Sequence, residues 1–226
     1  MVPLMNCVVT AGPTFEPLDE VRRLTNFSTG KLGSELANHL AERGHEVTLL
    51  LGSGATCRGP LKAQHVAEFT TTADLRARLA ALARPGVDAV FHAAAVSDFR
   101  FGRVFERDAQ GRLAERNERK IPTSASDLWV ELKPTPKLIV ELRGWFPAAL
   151  LVGWKYEAEG DRTRVVTQAR EQMARNDTHA CVANGPAYGE GFGLVTAAED
   201  PRHLPDAPSL YAALAELLSG RSSRAA

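Results

Sequence analysis

Short, mainly apolar runs alternate along this chain with stretches in which apolar residues recur every three or four positions. Asn6–Thr10, Glu46–Leu51, Asp88–Ala93, Ala149–Gly153 and His179–Ala183 are of the first kind and predict strands buried on both faces. Lys31–Arg43, Ala73–Ala83, Pro136–Arg143 and Arg162–Arg175 are of the second and predict helices, the first stopped by Gly44. The alternation predicts an α/β fold, a doubly wound and mostly parallel sheet in a Rossmann-like three-layer arrangement. A short strand over Gly193–Thr196, a closing helix over Ser209–Leu218 and a frayed tail over Ser219–Ala226 complete a single domain spanning 1–220.

Two regions break this rhythm. Val96–Asp127 is a long polar stretch, and a loop of that length inside a compact domain is unusual, so it is expected to be a flap over a site or an arm in a dimer. Asn184–Val195 carries Gly185, Pro186, Gly189, Gly191 and Gly193 and reads as a flexible loop before the last strand.

Composition narrows the function classes. With 44% hydrophobic residues in 226, the chain can bury a substantial core. Lys plus Arg equals Asp plus Glu at 27 each, so no overall field favours nucleic acid or an anionic membrane. Cys7, Cys57 and Cys181 are too few and too far apart for a disulfide framework or a metal site, and no metal-ligating set is predicted. Cys7 and Cys181 fall in apolar strands and are expected to be buried, while Cys57 lies in a Gly-rich loop. No basic leader precedes a long apolar run, and no segment is long enough to cross a bilayer; a cytoplasmic, soluble protein is expected.

The candidate chemistry begins at Leu24–Gly33, which joins a small-residue loop to the start of a predicted helix. Gly30 and Gly33 let backbone approach a ligand, Ser28 and Thr29 offer hydroxyls and helix caps, and the first-turn amides attract phosphate or carboxylate, with Lys31 adding charge. On these residues alone an ordinary helix cap explains the pattern equally well. Just before it, the strand ending at Thr10 breaks into a Gly-Pro loop rich in hydroxyls and carboxylates and closed by Arg22. Asp98 follows the strand ending in Ala93-Ala94-Ala95, placed to accept from ribose hydroxyls or a base, or else to cap a turn or pair with Arg100. His92 reads as a packed strand residue, and Lys120 either is solvated or folds over a site to neutralise a triphosphate.

Five motifs in order carry a resemblance: Thr-Ala-Gly-Pro-Thr-x-Glu-Pro-Leu-Asp-x-Val-Arg from Thr10 to Arg22, Asn-Phe-Ser-Thr-Gly-Lys-Leu-Gly from Asn26, Ala-Ala-Ala-Val-Ser-Asp-Phe-Arg from Ala93, Lys120-Ile121, and Val182-Ala183-Asn184. From Val8 to about Leu218 the chain resembles the phosphopantothenoylcysteine synthetase family, the phosphopantothenate–cysteine ligases of coenzyme A biosynthesis, often fused to a flavin-dependent decarboxylase. The resemblance implies that 4'-phosphopantothenate attacks a nucleoside triphosphate, CTP or ATP, to give an acyl-nucleotide that the cysteine amine then opens. Pyrophosphate and a nucleoside monophosphate leave; Mg2+ shares the phosphate charge, and no flavin is expected. A homodimer is implied as well.

Carried over by position, Asn26 contacts the activated acyl group and Lys120 covers the phosphates, the two catalytic assignments. Gly12, Ser28, Gly30, Lys31, Ala93, Ala94 and Asp98, with Pro136, Lys137, Leu138, Ile139, Trp154 and Lys155, correspond to the nucleotide site. Arg22, Thr29 and Asn184 join Asn26 around the substrate. The chain departs from many bacterial members in Lys120-Ile121-Pro122-Thr123, which lacks a second flap lysine, and in Gln172 and Asn176, which stand where those sequences often carry Lys. Trp154-Lys155-Tyr156-Glu157 replaces a smaller segment, and Lys155 either compensates for the lost charge or pairs with Glu157 or Glu159. The flap and this segment look more like the ATP-using eukaryotic branch, so the nucleotide stays open. The alternatives are a non-catalytic binding paralogue of the same fold and a nicotinamide-dependent reductase, the latter opposed by the lack of Gly-x-Gly-x-x-Gly between Gly12 and Gly33.

Overall fold

The apolar runs pair side by side, as strands with two buried faces must. The computed structural model describes residues 4–57, 59–122, 127–198 and 200–222. Its central sheet has eight strands in the order β13-β12-β11-β10-β6-β1-β4-β5. β1 (Asn6–Ala11), β4 (Glu46–Gly52), β5 (His65–Phe69), β6 (Ala89–His92), β10 (Leu150–Tyr156) and β11 (Ala180–Asn184) run parallel. β12 (Phe192–Val195) and β13 (Arg202–Leu204) add an antiparallel edge. The doubly wound, mostly parallel sheet expected from the alternation is therefore present.

Strand residues of alternating parity feed the two layers. On one face Val9, Phe91, Val152 and Val182 pack with α1 (Lys31–Glu42) and α5 (Ala207–Ser222) through Leu36, Leu40, Leu210 and Leu214. On the other, Val8, Val90 and Leu151 meet α2 (Thr72–Ala81) and α3 (Leu142–Trp145), and Cys181 and Ala183 meet α4 (Arg162–Asn176). Helix α1 sits close because Gly33 faces β1; a Cβ there would lie 2.5 Å from Ala11 Cβ and 3.0 Å from Thr10 O. β4 and β6 flank β1 on opposite sides, so the loops leaving β1 and β6 part and open a crevice at the strands' carboxyl ends.

Several expectations are corrected. The helix predicted over Pro136–Arg143 is a 3-10 turn, Leu138–Val140, followed by the short α3, because Pro134 and Pro136 hold the entry extended and Pro147 ends the segment. The tail predicted from Ser219 is helical through Ser222, with Ser219 Oγ donating to Ala215 O at 2.9 Å; 223–226 lie outside the described residues. The polar stretch from Val96 is largely strand, not irregular loop. β7 (Phe99–Arg107) pairs antiparallel with both β8 (Leu113–Arg116) and β9 (Asp127–Pro134), making a separate three-stranded sheet that continues past Asp127; 123–126 of this arm lie outside the described residues.

Candidate functional site

Buried threonines build the crevice. Thr14, fully buried in the loop after β1, accepts from Ser97 N at 2.8 Å through Oγ1, donates to Ser97 Oγ at 3.0 Å, and its amide donates to Ala95 O at 3.0 Å. Ala95 N returns a bond to Gly12 O at 3.0 Å, stitching the two loops together. Thr10 Oγ1 accepts from Ala94 N at 3.1 Å, and Thr135 N donates to Asp98 O at 2.9 Å. Thr135 Oγ1 also donates to Ser97 O. The path of Ala93–Asp98 past the sheet edge is thus fixed by hydroxyls, which sequence reading passed over; their signal was threonine at the carboxyl end of an apolar strand.

Gly12 and Gly30 both hold left-handed backbone, φ 81° and 78°, and lie against each other: a Cβ on Gly30 would come within 3.3 Å of Gly12 Cα and 3.0 Å of Ala55 Cβ. The expectation that Ser28 and Thr29 cap α1 is corrected. The N-cap is Gly30 with no side-chain cap bond, because its left-handed turn aims the chain over Gly12; Thr29 Oγ1 only accepts from Lys31 N at 3.3 Å. Beyond the Lys31 amide, the first turn of α1 has no capping side chain among the described residues. Lys31 is exposed, 3.8 Å from Glu35.

Asn26 follows β3 (Arg23–Thr25), which pairs with β2 (Phe15–Pro17), and its Nδ2 donates to Ala95 O at 3.0 Å. This places its amide between the α1 loop and the loop after β6. Arg22 is already engaged. Its Nε and one terminal nitrogen both donate to Asp19 Oδ2, at 3.0 and 2.5 Å, and the same terminal nitrogen donates to Ile121 O at 2.8 Å. Asp19 also accepts from Val21 N, Arg22 N and Ile121 N, so its carboxyl is held well below the usual carboxylate range, chiefly by Arg22. With Glu20 N donating to Arg119 O at 2.9 Å and Ile121 buried, this turn pins the segment that carries exposed Lys120.

Beside the crevice, a cavity of about 130 Å³ opens between β6, β10, the 3-10 turn and α4. Asp98 and Lys137 pair across its mouth, so Asp98 takes Lys137 and not Arg100. Leu138 and Ile139 form an apolar wall, with Ala94 opposite. Trp154 lines the edge while packing its ring into the α1 and α5 layer, and Trp154 Nε1 and Asn184 Oδ1 are both buried without a hydrogen-bond partner among the described residues. Lys155 takes the second of its two options and pairs with Glu157 at 2.6 Å. His92 and Gln172, neither expected at the site, also line this cavity. Cys7 and Cys181 are buried as expected, and burial pushes both thiols up to about 12. Among the described residues no group of three or more His, Cys, Asp or Glu is placed to hold a metal ion, and no helix is long and apolar enough to cross a membrane.

A crevice at the switch point of a mostly parallel sheet, edged by the start of α1 and a glycine pair, defines an α/β protein of the doubly wound class. The sequence matches the DNA/pantothenate metabolism flavoprotein C-terminal domain over residues 4–199, and the chain belongs to that family. It is 34% identical over 178 residues to the coenzyme A biosynthesis bifunctional protein CoaBC of Thermococcus kodakarensis, covering 78% of this chain and 40% of that protein. To the CoaBC of Mycobacterium tuberculosis it is 40% identical over 199 residues, covering 82% and 43%. The chain thus spans less than half the length of these relatives. Among solved structures, the DNA/pantothenate metabolism flavoprotein from Streptococcus pneumoniae superposes with a TM-score of 0.82 at 24% identity, covering 97% of this chain and all of that one. The Cab2 mutant H337A in complex with phosphopantothenate-cysteine gives 0.69 at 19%, covering 97% and 89%. These two likenesses concern the fold.

Proposed function

We propose that this chain is a phosphopantothenate–cysteine ligase acting in coenzyme A biosynthesis. One observation carries the reading: Asn26, the glycine-capped start of α1 and the Ala93–Asp98 loop converge on one sheet edge, tied by the Asn26–Ala95 bond. Membership of the family and the named CoaBC relatives support it. In the first step a carboxylate oxygen of 4'-phosphopantothenate attacks the α-phosphorus of CTP or ATP and pyrophosphate leaves. In the second the cysteine amine attacks the acyl carbon, the nucleoside monophosphate leaves with the C–O electrons, and the amine proton passes to water. Neither step needs a protein nucleophile; alignment and charge stabilisation suffice.

The roles follow the layout. The Asn26 amide donates to the acyl oxygen as charge builds there, and the α1 amides with Gly12, Ser28, Gly30 and Lys31 receive phosphate oxygens. Lys120 reaches the phosphates from the arm. Asp98 holds the ribose beside the backbone of Ala93 and Ala94, the base enters the cavity lined by Lys137, Leu138, Ile139 and Trp154 just after Pro136, and Thr29 and Asn184 face the pantothenate side. Magnesium arrives on the triphosphate and shares its charge. Two copies form the working unit, each arm closing a site.

Pyrophosphate release with 4'-phosphopantothenate, cysteine and magnesium, run with CTP and ATP in parallel, tests the reading. Release that requires phosphopantothenate, with the cysteine adduct seen by mass spectrometry, is expected. Silence with both nucleotides from folded protein would favour the competing reading, a non-catalytic binding paralogue, for which the pairing of Lys155 with Glu157 speaks, since it leaves the lost lysines uncompensated.

A further inference from the structure

His92 and Gln172 both line the 130 Å³ cavity. In the β6–β10 register His92 lies opposite Gly153, and a Cβ on Gly153 would fall 2.8 Å from both Gln172 Nε2 and Ile139 Cδ1. The missing side chain lets the Gln172 amide and Ile139 close directly over β10, at the edge of the cavity that both residues line. Whole-ligand pockets run from about 300 Å³ upward, so this cavity has room for a ring and not for an entire nucleotide.

The polarity of the two groups follows from their partners. The hydroxyl of fully buried Thr10 accepts from Ala94 N at 3.1 Å and lies 2.9 Å from His92 Nδ1. If His92 Nδ1 were the donor, the hydroxyl hydrogen of Thr10 would be buried without an acceptor; donating to Nδ1 satisfies both. The ring hydrogen then sits on Nε2. Burial keeps the ring neutral, with a pKa lowered to about 4. Gln172 Nε2 donates to Trp154 O at 3.2 Å and to Cys181 Sγ at 3.4 Å, and the carbonyl partner fixes which end is nitrogen. Oε1 is the acceptor end of an amide whose residue lines the cavity.

We propose that His92 Nε2–H and Gln172 Oε1 form a base-reading pair that selects nucleotides whose base carries an amino group beside an unprotonated ring nitrogen, adenine or cytosine, against guanine and uracil. The assignment rests on the ligase reading, which puts the ribose at Asp98 and so fixes the orientation in which the base enters. An amino group then donates to Oε1 while the adjacent ring nitrogen accepts from His92. Guanine and uracil reverse both polarities, setting carbonyl against carbonyl and N–H against N–H. Each reversed contact leaves a desolvated polar group unpaired.

Calorimetric titration of the folded protein with the magnesium complexes of ATP, CTP, GTP and UTP, without the other substrates, tests the pair. ATP or CTP is expected to bind about tenfold or more tightly than GTP and UTP. Gln172→Met, on a helix surface, and His92→Leu, checked for folding by circular dichroism, should each collapse that ratio, whereas His92→Gln, which keeps an N–H, should retain part of it. Equal binding of all four by the unaltered protein, or an unchanged ratio in Gln172→Met, would overturn the proposal. Binding of none would overturn it together with the ligase reading. A preserved amino-base preference without pyrophosphate release would leave the pair standing and remove the ligase alone.

Discussion

Asn26 is exposed, and the bond its side chain donates, to Ala95 O, crosses from the α1 loop to the loop after β6. Losing one exposed bond costs about 1 kcal/mol or less, whereas a donor lost from a developing oxyanion costs on the order of 10²-fold in turnover. Asn26→Ala should therefore keep its melting temperature nearly unchanged and lose pyrophosphate release; wild-type turnover in that variant would remove Asn26 from the mechanism. Arg22 behaves differently, because its guanidinium is spent on Asp19 and Ile121. Arg22→Ala should free the 119–121 segment, so trypsin should cut at Lys120 faster than in the parent, and an unchanged cleavage rate would show the segment held by other contacts. His92 ties pH to stability. Its imidazole titrates near 6.5 in an unfolded chain and is held down to about 4 by burial in the fold. The unfolded chain takes the proton first, so the contribution of His92 is complete above 6.5 and is lost as pH falls from there toward 4, by at most about 3 kcal/mol. His39 and His45 are shifted down by burial too and act in the same window. His92→Gln should flatten part of the acid limb in urea midpoints taken between pH 7 and 4.5, and identical slopes in variant and parent would refute the assignment.

At the scale of elements, α1 depends on one contact. Gly33 costs the helix about 1 kcal/mol relative to alanine in intrinsic propensity, yet a Cβ there would meet Ala11 Cβ at 2.5 Å. Overpacking of this kind costs about 1–3 kcal/mol, and α1 would have to lift from β1, moving its N-terminus away from Gly12. Gly33→Ala should lower the melting temperature and weaken nucleotide binding together; a stabilised variant would mean that α1 adjusts freely. The same contrast explains what could be read from the chain. β1, β4, β6, β10 and β11 were legible because burial on both faces writes itself as an unbroken apolar run, as in Cys7-Val8-Val9 or Leu150-Leu151-Val152. β5 was not, since an edge strand keeps His65 and Glu68 in solvent. β7 to β9 were hidden by their charges: Arg103, Arg107, Arg116, Glu106 and Glu131 form cross-strand and local pairs on a sheet with little core. The Leu24–Gly33 loop and Asp98 could be picked out as candidates from residue type and place, whereas His92 and Gln172 become candidates only when the fold sets both beside Gly153, a relation that linear spacing does not carry.

For the whole molecule, the three-stranded sheet poses a question of burial. Small sheets need a covered face to be stable, and this one buries Val104 while leaving Phe99, Leu113, Trp129 and Leu132 between 45% and 54% exposed. Trp129 sits opposite Phe105, with Arg107 over its ring at 5.6 Å, so this apolar pair is ringed by charge in the manner of an interface. If two copies pair through this sheet, sedimentation should give about twice the chain mass of 24.5 kDa. Trp129→Glu would place a carboxylate in that contact and should shift the equilibrium toward single chains without lowering the stability of the central sheet, because β9 belongs to the separate three-stranded sheet. Turnover should fall in parallel, because the arm that carries Lys120 is anchored by Arg22 and Asp19 at one end and continues into this sheet at the other. A parent protein that sediments as a single chain at assay concentration and still ligates would detach the arm from assembly and leave Lys120 to act within its own chain.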